Sequence, residues 1–218
     1  MPGRVDRAVS NLQSIKPGLR VDSKMADIQY QLVQWIVRLQ AKEGSAVLVF
    51  VSGMADIVAL ADVFELSEVY SVFFVHSSIP YEDQLGILEP CEQGKIKVIL
   101  ATNAAESSLT LPDVDLVICL GACKQLKICP KTGQPRLALS YISQAAATQR
   151  AGRTGRVRPG VVWRLYSQEL FDAMDEHDPS EVQSTPLDKV VLDFRHILDR
   201  QVEKHTPAYV YMYSTVQF

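Results

Sequence analysis

Apolar positions first become periodic between Ile28 and Leu39. Ile28, Leu32, Trp35, Ile36 and Leu39 recur at spacings of four, three, one and three. That spacing predicts an amphipathic helix, ended by Gly44, with this stripe packed into the core. From Ala46 to Val51 the pattern becomes an unbroken apolar run, as expected of a strand buried on both faces. Ser52-Gly53 turns into a second helix carrying Ile57, Leu60, Ala61 and Phe64. Val69 to Val75 reads as a second strand. Pro80 suits the first turn of a third helix, with Glu82 and Asp83 near its positive end. Lys95–Ala101 and Val114–Leu120 read as the third and fourth strands. Leu126–Cys129 and Leu137–Tyr141 flank Pro130-Lys131-Thr132-Gly133, a hairpin signal. Ser143 is placed to cap a helix, and Val161–Tyr166 reads as the last strand.

Strands alternating with helices predict an α/β fold: an open, mostly parallel sheet with helices on both faces, interrupted by an antiparallel hairpin at about 122–141. Ligands of such sheets sit outside the carboxyl ends of the strands. Ser52-Gly53 and Thr102-Asn103 each follow directly after a strand and so fall on that edge. Residues 1–24, punctuated by Pro2, Gly3, Pro17 and Gly18, read as a linker, and residues 25–168 as the main lobe. Glu169 to Asp188 holds seven acids and no Lys or Arg, the composition of a solvated face. A helix with Leu187, Val190, Val191, Phe194 and Leu198 on its apolar side follows. Tyr209, Tyr211 and Tyr213 alternate near the end, as in an edge strand or a disordered terminus. Tyrosines so spaced can stack on bases or simply lie on a strand surface.

Composition narrows the function classes. Of 218 residues 47% are hydrophobic, ample for a core, and the net charge is -3. Nucleic-acid binding must then come from a local basic patch rather than a global field. No apolar run is long enough to span a membrane, and the polar start lacks the apolar core of a signal peptide. Cys91, Cys119, Cys123 and Cys129 form no CxxC pair and have no nearby histidine, so no metal site is expected. Reduced thiols suit an intracellular protein, cytoplasmic or nuclear.

The chemistry concentrates in Gln149-Arg150-Ala151-Gly152-Arg153-Thr154-Gly155-Arg156. Three arginines and two glycines fall within seven positions. Arginine presents a planar fork of donors that matches phosphate and keeps its charge at neutral pH. Glycine lets backbone approach a ligand closely. The segment reads as a phosphate-binding turn, or as a solvated basic loop paired with the acids of 169–188.

With these residues in view, the chain resembles the second RecA-like lobe of DEAH/RHA-type (DExH-box) helicases of superfamily 2. The resemblance runs from about Ala46 to Leu192. Val47–Gly53 resembles motif IV, Val75-His76-Ser77-Ser78-Ile79-Pro80 the H-S-x-I/V-P segment, Ala101–Leu111 motif V, and Gln149–Arg156 motif VI, Q-R-x-G-R-x-G-R. The sequence departs from the family in Cys119-Leu120-Gly121, where many relatives have Asp-Ser-Gly. Ser107 also stands where threonine is usual, and Cys129-Pro130 where an aromatic and Asp often precede proline.

The resemblance implies two lobes that clamp ATP between them and hold single-stranded RNA, or DNA, across their tops. It implies that Gln149 places the attacking water. Arg153 and Arg156 act as arginine fingers on the γ-phosphate, with Thr110 and Gly152 beside the nucleotide. Ser52, Gly53, His76, Ser77, Thr102 and Asn103 are implied contacts to the nucleic-acid backbone. The hairpin, with Lys124, Lys127, Lys131 and Arg136, is implied to be a strand-separating wedge. His76 equally suits a local turn bond, and Thr102-Asn103 equally suits turn chemistry. No G-x-x-x-x-G-K-[ST] loop and no D-E-x-H motif occurs in the chain; both belong to the first lobe. The chain is therefore expected to be part of a longer enzyme, inactive alone, with Mg²⁺ held mainly by the first lobe. Residues 169–218 are expected to begin a truncated winged-helix-like extension, and a protein activator is a possible partner. Two other readings stay open: a degenerate, non-enzymatic lobe that binds RNA or protein, and an anion-binding α/β protein unrelated to helicases.

Overall fold

A computed structural model of the chain describes residues 25–107, 111, 113–129, 134–178 and 191–196. Helix α1 (Met25–Gln40) leads into strand β1 (Ala46–Phe50), α2 (Met54–Glu65) and β2 (Tyr70–Val75). Then come α3 (Tyr81–Gln84), a 3₁₀ turn (Leu85–Leu88), β3 (Ile96–Ala101), α4 (Ala104–Ser107) and β4 (Val114–Cys119). The hairpin strands β5 (Ala122–Ile128) and β6 (Pro135–Tyr141) follow, then α5 (Gln144–Ala151), β7 (Val161–Arg164) and α6 (Gln168–Ala173).

Five strands form one parallel sheet in the order β2-β3-β1-β4-β7. The most apolar strand, β1, lies at its centre. It pairs with β3 from Ala46 opposite Lys97 to Phe50 opposite Ala101, and with β4 on its other side. Alternate β1 residues feed two cores. Leu48 and Phe50 pack with Ile87, Ala105, Ile142, Ala146, Ala147 and Met174 on one face. Val47 and Val49 pack with Val33, Ile36, Val37, Ile57, Leu60 and Phe64 from α1 and α2 on the other. The expected open α/β sheet with helices on both faces is thus the observed fold.

The α1 stripe is a correction. Of its five residues only Ile36 is in the core, together with Val33 and Val37. Ile28, Leu32, Trp35 and Leu39 form an outer ridge, 40–57% exposed. The helix is apolar over a wider arc than one sheet face can cover, so spacing alone cannot say which part of the arc turns inward. Ile36→Ala should therefore cost about 2–5 kcal/mol. Trp35→Ala should stay within about 0.5 kcal/mol, as for surface sites. Urea midpoints of the two variants check this.

The third helix is a single turn, with Pro80 at its N-cap position rather than in its first turn. Gly86 and Pro90 prevent its extension. In β3, Lys97 is buried, and its ammonium donates to the carbonyls of Ile87 and, at 2.6 Å, Glu89. One lysine thereby satisfies the end of the 3₁₀ turn beneath the sheet. No helix among the described residues is long and apolar enough to cross a membrane.

Residues 126–136 and 179–218 form a second unit, distinct from the first (1–125 with 137–178). Its described residues are 126–129, 134–136 and 191–196, the last six helical. The linker 1–24, the alternating segment 200–218, Thr110, Lys131, Leu187, Val190 and Leu198 lie outside the described residues.

Candidate nucleotide and nucleic-acid site

Because all five strands run parallel, the turns after Phe50, Val75, Ala101 and Cys119 share the carboxyl edge of the sheet. The turn after β1 is built around Asp56 in the first turn of α2. Its carboxylate accepts the Ser52 N–H at 2.8 Å, the Gly53 N–H at 3.2 Å, the Ser52 hydroxyl, and at 2.6 Å the Tyr30 hydroxyl. Burial, and then Asp56, push the Tyr30 phenol well above its usual value. Ser52 and Gly53 thus spend their donors within the turn. The cation at this place is Lys124, whose backbone N–H donates to the Ser52 carbonyl at 3.1 Å. A Cβ built on Gly53 would lie 3.0 Å from the Lys124 side chain. Glycine here lets a lysine lie flat across the turn.

His76 is half-buried and Ser77 exposed. The Ser78 N–H donates to His76 Nδ1 at 3.1 Å, and the Ser78 hydroxyl lies 2.7 Å from the same nitrogen. An Nδ1 that accepts leaves the proton on Nε2. Thr102 is buried, with its hydroxyl 3.4 Å from the Val75 carbonyl that it donates to, while Asn103 is exposed. Of that pair, Asn103 faces solvent.

After β4 the chain reverses through Gly121. Its φ of +82° and the Tyr166 ring, 2.5 Å from where a Cβ would sit, both require glycine. The Ile142 N–H donates to the Gly121 carbonyl and closes the base of the hairpin. Lys124 and Lys127 are exposed, and Lys127 belongs to the second unit.

The helix that carries Arg150 and leads into Arg153 and Arg156 is held at both ends. At its start, Ser143 accepts from the Ala146 N–H at 3.0 Å and donates to Asp178, also at 3.0 Å. The carbonyls of Asp175 and Glu176 take the N–H groups of Gln144 and Ala145. Asp172, Asp175, Glu176 and Asp178 are exposed, but the backbone of Asp175 and Glu176 supplies caps for α5, a role that composition did not indicate.

At the other end, Arg150 is fully buried. Its Nε donates to Glu106 Oε1 at 2.7 Å, and Nη2 lies 2.7 Å from the same oxygen. Nη1 lies 3.6 Å from Cys119 Sγ, and the guanidinium covers the Phe50 ring at 4.9 Å. Burial opposes its charge, but Cys119 and Glu106 more than offset that, and its proton is held above the usual affinity. Arg153 donates to the Glu106 carbonyl. Thr154 donates to the Val114 carbonyl at 2.5 Å, and Arg158 grips Asp115 with two nitrogens. The segment therefore descends the length of β4, from its carboxyl end at Arg150 to its start at Thr154. Ser52, Gly53, His76, Ser77, Thr102 and Asn103 lie along the carboxyl edge, whereas Arg153 meets the Glu106 carbonyl in α4.

Gln149, Gly152 and Arg156 are exposed, and Arg153 is half-buried. Burial, and then the like charge of Arg156, lower the Arg153 proton affinity, with Glu106 offsetting in part. Sequence reasoning gave no role to Glu106 or to Arg150. The available signal was Arg150 at the spacing of Ala146 and Ala147, the buried side of α5. All four cysteines are free thiols, and burial pushes Cys123 up to about 11. Among the described residues no group of three or more His, Cys, Asp or Glu could hold a metal ion.

A five-stranded parallel sheet with its turns gathered on one edge, and an arginine-bearing helix braced along β4, defines a RecA-like lobe. The chain belongs to the helicase conserved C-terminal domain family, whose model matches residues 25–158, and within it to the DExH type of superfamily 2. It is 34% identical over 182 residues to RNA editing associated helicase 2 of Trypanosoma brucei brucei, covering 77% of this chain and 8% of that protein. It is 36% identical over 152 residues to human ATP-dependent RNA helicase DHX29, covering 67% and 11%. With DExH-box ATP-dependent RNA helicase DExH1 of Arabidopsis thaliana it shares 35% over 191 residues, covering 85% and 18%. The crystal structure of the E. coli DExH-box NTPase HrpB superposes with a TM-score of 0.69 at 27% identity, covering 81% of this chain and 22% of that one. The chain thus spans under a fifth of these curated relatives.

Proposed function

We propose that this chain is the second lobe of an ATP-dependent RNA helicase and contributes to hydrolysis only when closed on a first lobe. Gln149 orients the attacking water. Arg153 and Arg156 bind the γ-phosphate and neutralise charge as it develops, with Gly152 and Thr110 at the nucleotide. The magnesium ion that accompanies ATP is held mainly by the first lobe. Residues 25–168 make the lobe, and 169–218 begin a further extension.

The observation that carries the reading is the bracing of the arginine segment. Arg150 is spent inside the fold, while Arg153 is half-buried with the charge of Arg156 acting on it, and Gln149 and Arg156 are exposed. On the carboxyl edge, Lys124 and Asn103 contact the phosphates and sugars of a single strand, with His76 and Ser77 alongside. Ser52, Gly53 and Thr102 shape those turns from within. Phosphate contacts position a strand without reading its bases, so little sequence preference is expected.

Binding of fluorescent single-stranded RNA to the purified chain tests this. Log affinity should fall linearly with log salt, and Lys124→Ala should reduce the slope by about 1. The same preparation should turn over no ATP. A salt-independent affinity, or steady hydrolysis abolished by Arg153→Ala, would contradict the proposal.

A further inference from the structure

Glu106 is a single side chain joined to two arginines of the neighbouring segment by different atoms. Its carboxylate oxygen accepts from Arg150 Nε at 2.7 Å and lies 2.7 Å from Nη2 as an ion pair, and its backbone carbonyl accepts from Arg153 Nη2. The Arg150 end is fully buried against the Phe50 ring and Cys119, at the ends of β1 and β4. The Arg153 end lies at the half-buried surface. Glu106 itself sits in α4, one short turn of helix that begins two residues after Thr102. A four-residue helix has little stability of its own, so its placement must come from tertiary contacts. The buried ion pair supplies one, and the carbonyl that meets Arg153 moves with it.

We propose that Glu106 is a positioning residue for hydrolysis. It locks α4 to the sheet through Arg150 and thereby sets the height and direction of the Arg153 guanidinium. The same lock ties the Thr102-Asn103 turn on the carboxyl edge to the arginine segment, so a strand that moves Asn103 also moves Arg153. The proposal rests on the reading of Arg153 as an arginine finger. It goes beyond that reading by naming what holds the finger and what connects it to the nucleic-acid edge.

The test is a double-mutant cycle in the whole two-lobed protein, with ATP turnover measured at saturating RNA. Glu106→Ala should lower kcat by about tenfold or more while KM for ATP changes less than about threefold, the signature of an interaction felt mainly in the transition state. Glu106→Gln keeps an oxygen for Arg150 and should restore most of kcat. Arg153→Ala should lower kcat by about 10³. In that background Glu106→Ala should add nothing further, because residues acting as one unit are not additive. If Glu106→Ala does not fold, the same cycle is run with Glu106→Asp, which keeps the charge but shortens the reach to Arg150 by one methylene, and it decides by the same criterion. A second readout uses the 218-residue chain alone: with isotope-labelled arginine, the Arg153 guanidinium resonance should move toward its free position in the Glu106 variant. Full additivity, or an unmoved resonance, would overturn the positioning role and leave the finger intact. An Arg153→Ala enzyme with unchanged kcat would instead remove the finger, and this proposal with it.

Discussion

Replacing Arg156 by Ala in the complete two-lobed enzyme should slow ATP hydrolysis by about 10³–10⁵ while leaving nucleotide affinity nearly unchanged. Arg156 is exposed, and its one described intramolecular bond is a long 3.4 Å contact from Nε to the Gly152 carbonyl. The group is therefore free to meet a phosphate without first breaking a strong partner. A guanidinium that engages charge as it develops in the transition state contributes to kcat far more than to ground-state binding. Arg156→Lys should not rescue, because an ammonium lacks the planar fork. Single-turnover hydrolysis beside equilibrium binding of an ATP analogue separates the two effects. A fall in turnover of less than tenfold would remove Arg156 from the catalytic set.

The second large effect is on stability and concerns the buried arginine, Arg150. Arg150→Ala should destabilise the isolated chain by about 3–5 kcal/mol, because removing one partner of a buried pair leaves the other charge uncompensated. Glu106 would keep its carboxylate at 15% side-chain exposure without its buried partner, and the Phe50 ring would lose its covering group. For a domain of this size that loss lowers Tm by about 10 °C or more. Arg156→Ala, on the surface of the same segment, should leave Tm almost unmoved. Thermal melts of the two variants form one comparison. Equal melting temperatures would mean that the Arg150–Glu106 pair does not hold the segment.

The neighbouring arginines lie in opposite surroundings, Arg150 buried and Arg156 exposed, and the primary sequence marks them alike. Read as a string, Arg150, Arg153 and Arg156 all resemble phosphate ligands. What separates them is that Arg150 continues the buried face begun by Ala146 and Ala147, whereas Arg153 and Arg156 fall beyond the end of α5. That periodicity was legible. The partner was not, because Glu106 lies 44 residues away on an element of four residues. Lys97 is similar: a lysine in a predicted strand gives no hint that it will be buried under the 3₁₀ turn and bonded to its carbonyls. On the carboxyl edge, Ser52 and Gly53 were rightly placed after a strand, but their donors belong to Asp56, and Lys124 lies across them.

Local pattern determined the kind of fold and the place of its turns. Unbroken apolar runs such as Ala46–Val51 can only be strands covered on both sides, and strands separated by helices must run parallel, which gathers their carboxyl ends on one edge. Tertiary structure alone decided which arc of α1 faces the sheet, leaving Ile28, Leu32, Trp35 and Leu39 outside, and which charges are matched across distant segments. The reason is range. Hydrogen-bonding period and side-chain alternation act within a few residues, whereas burial and ion pairing are settled only when elements far apart in the chain compete for the same surface.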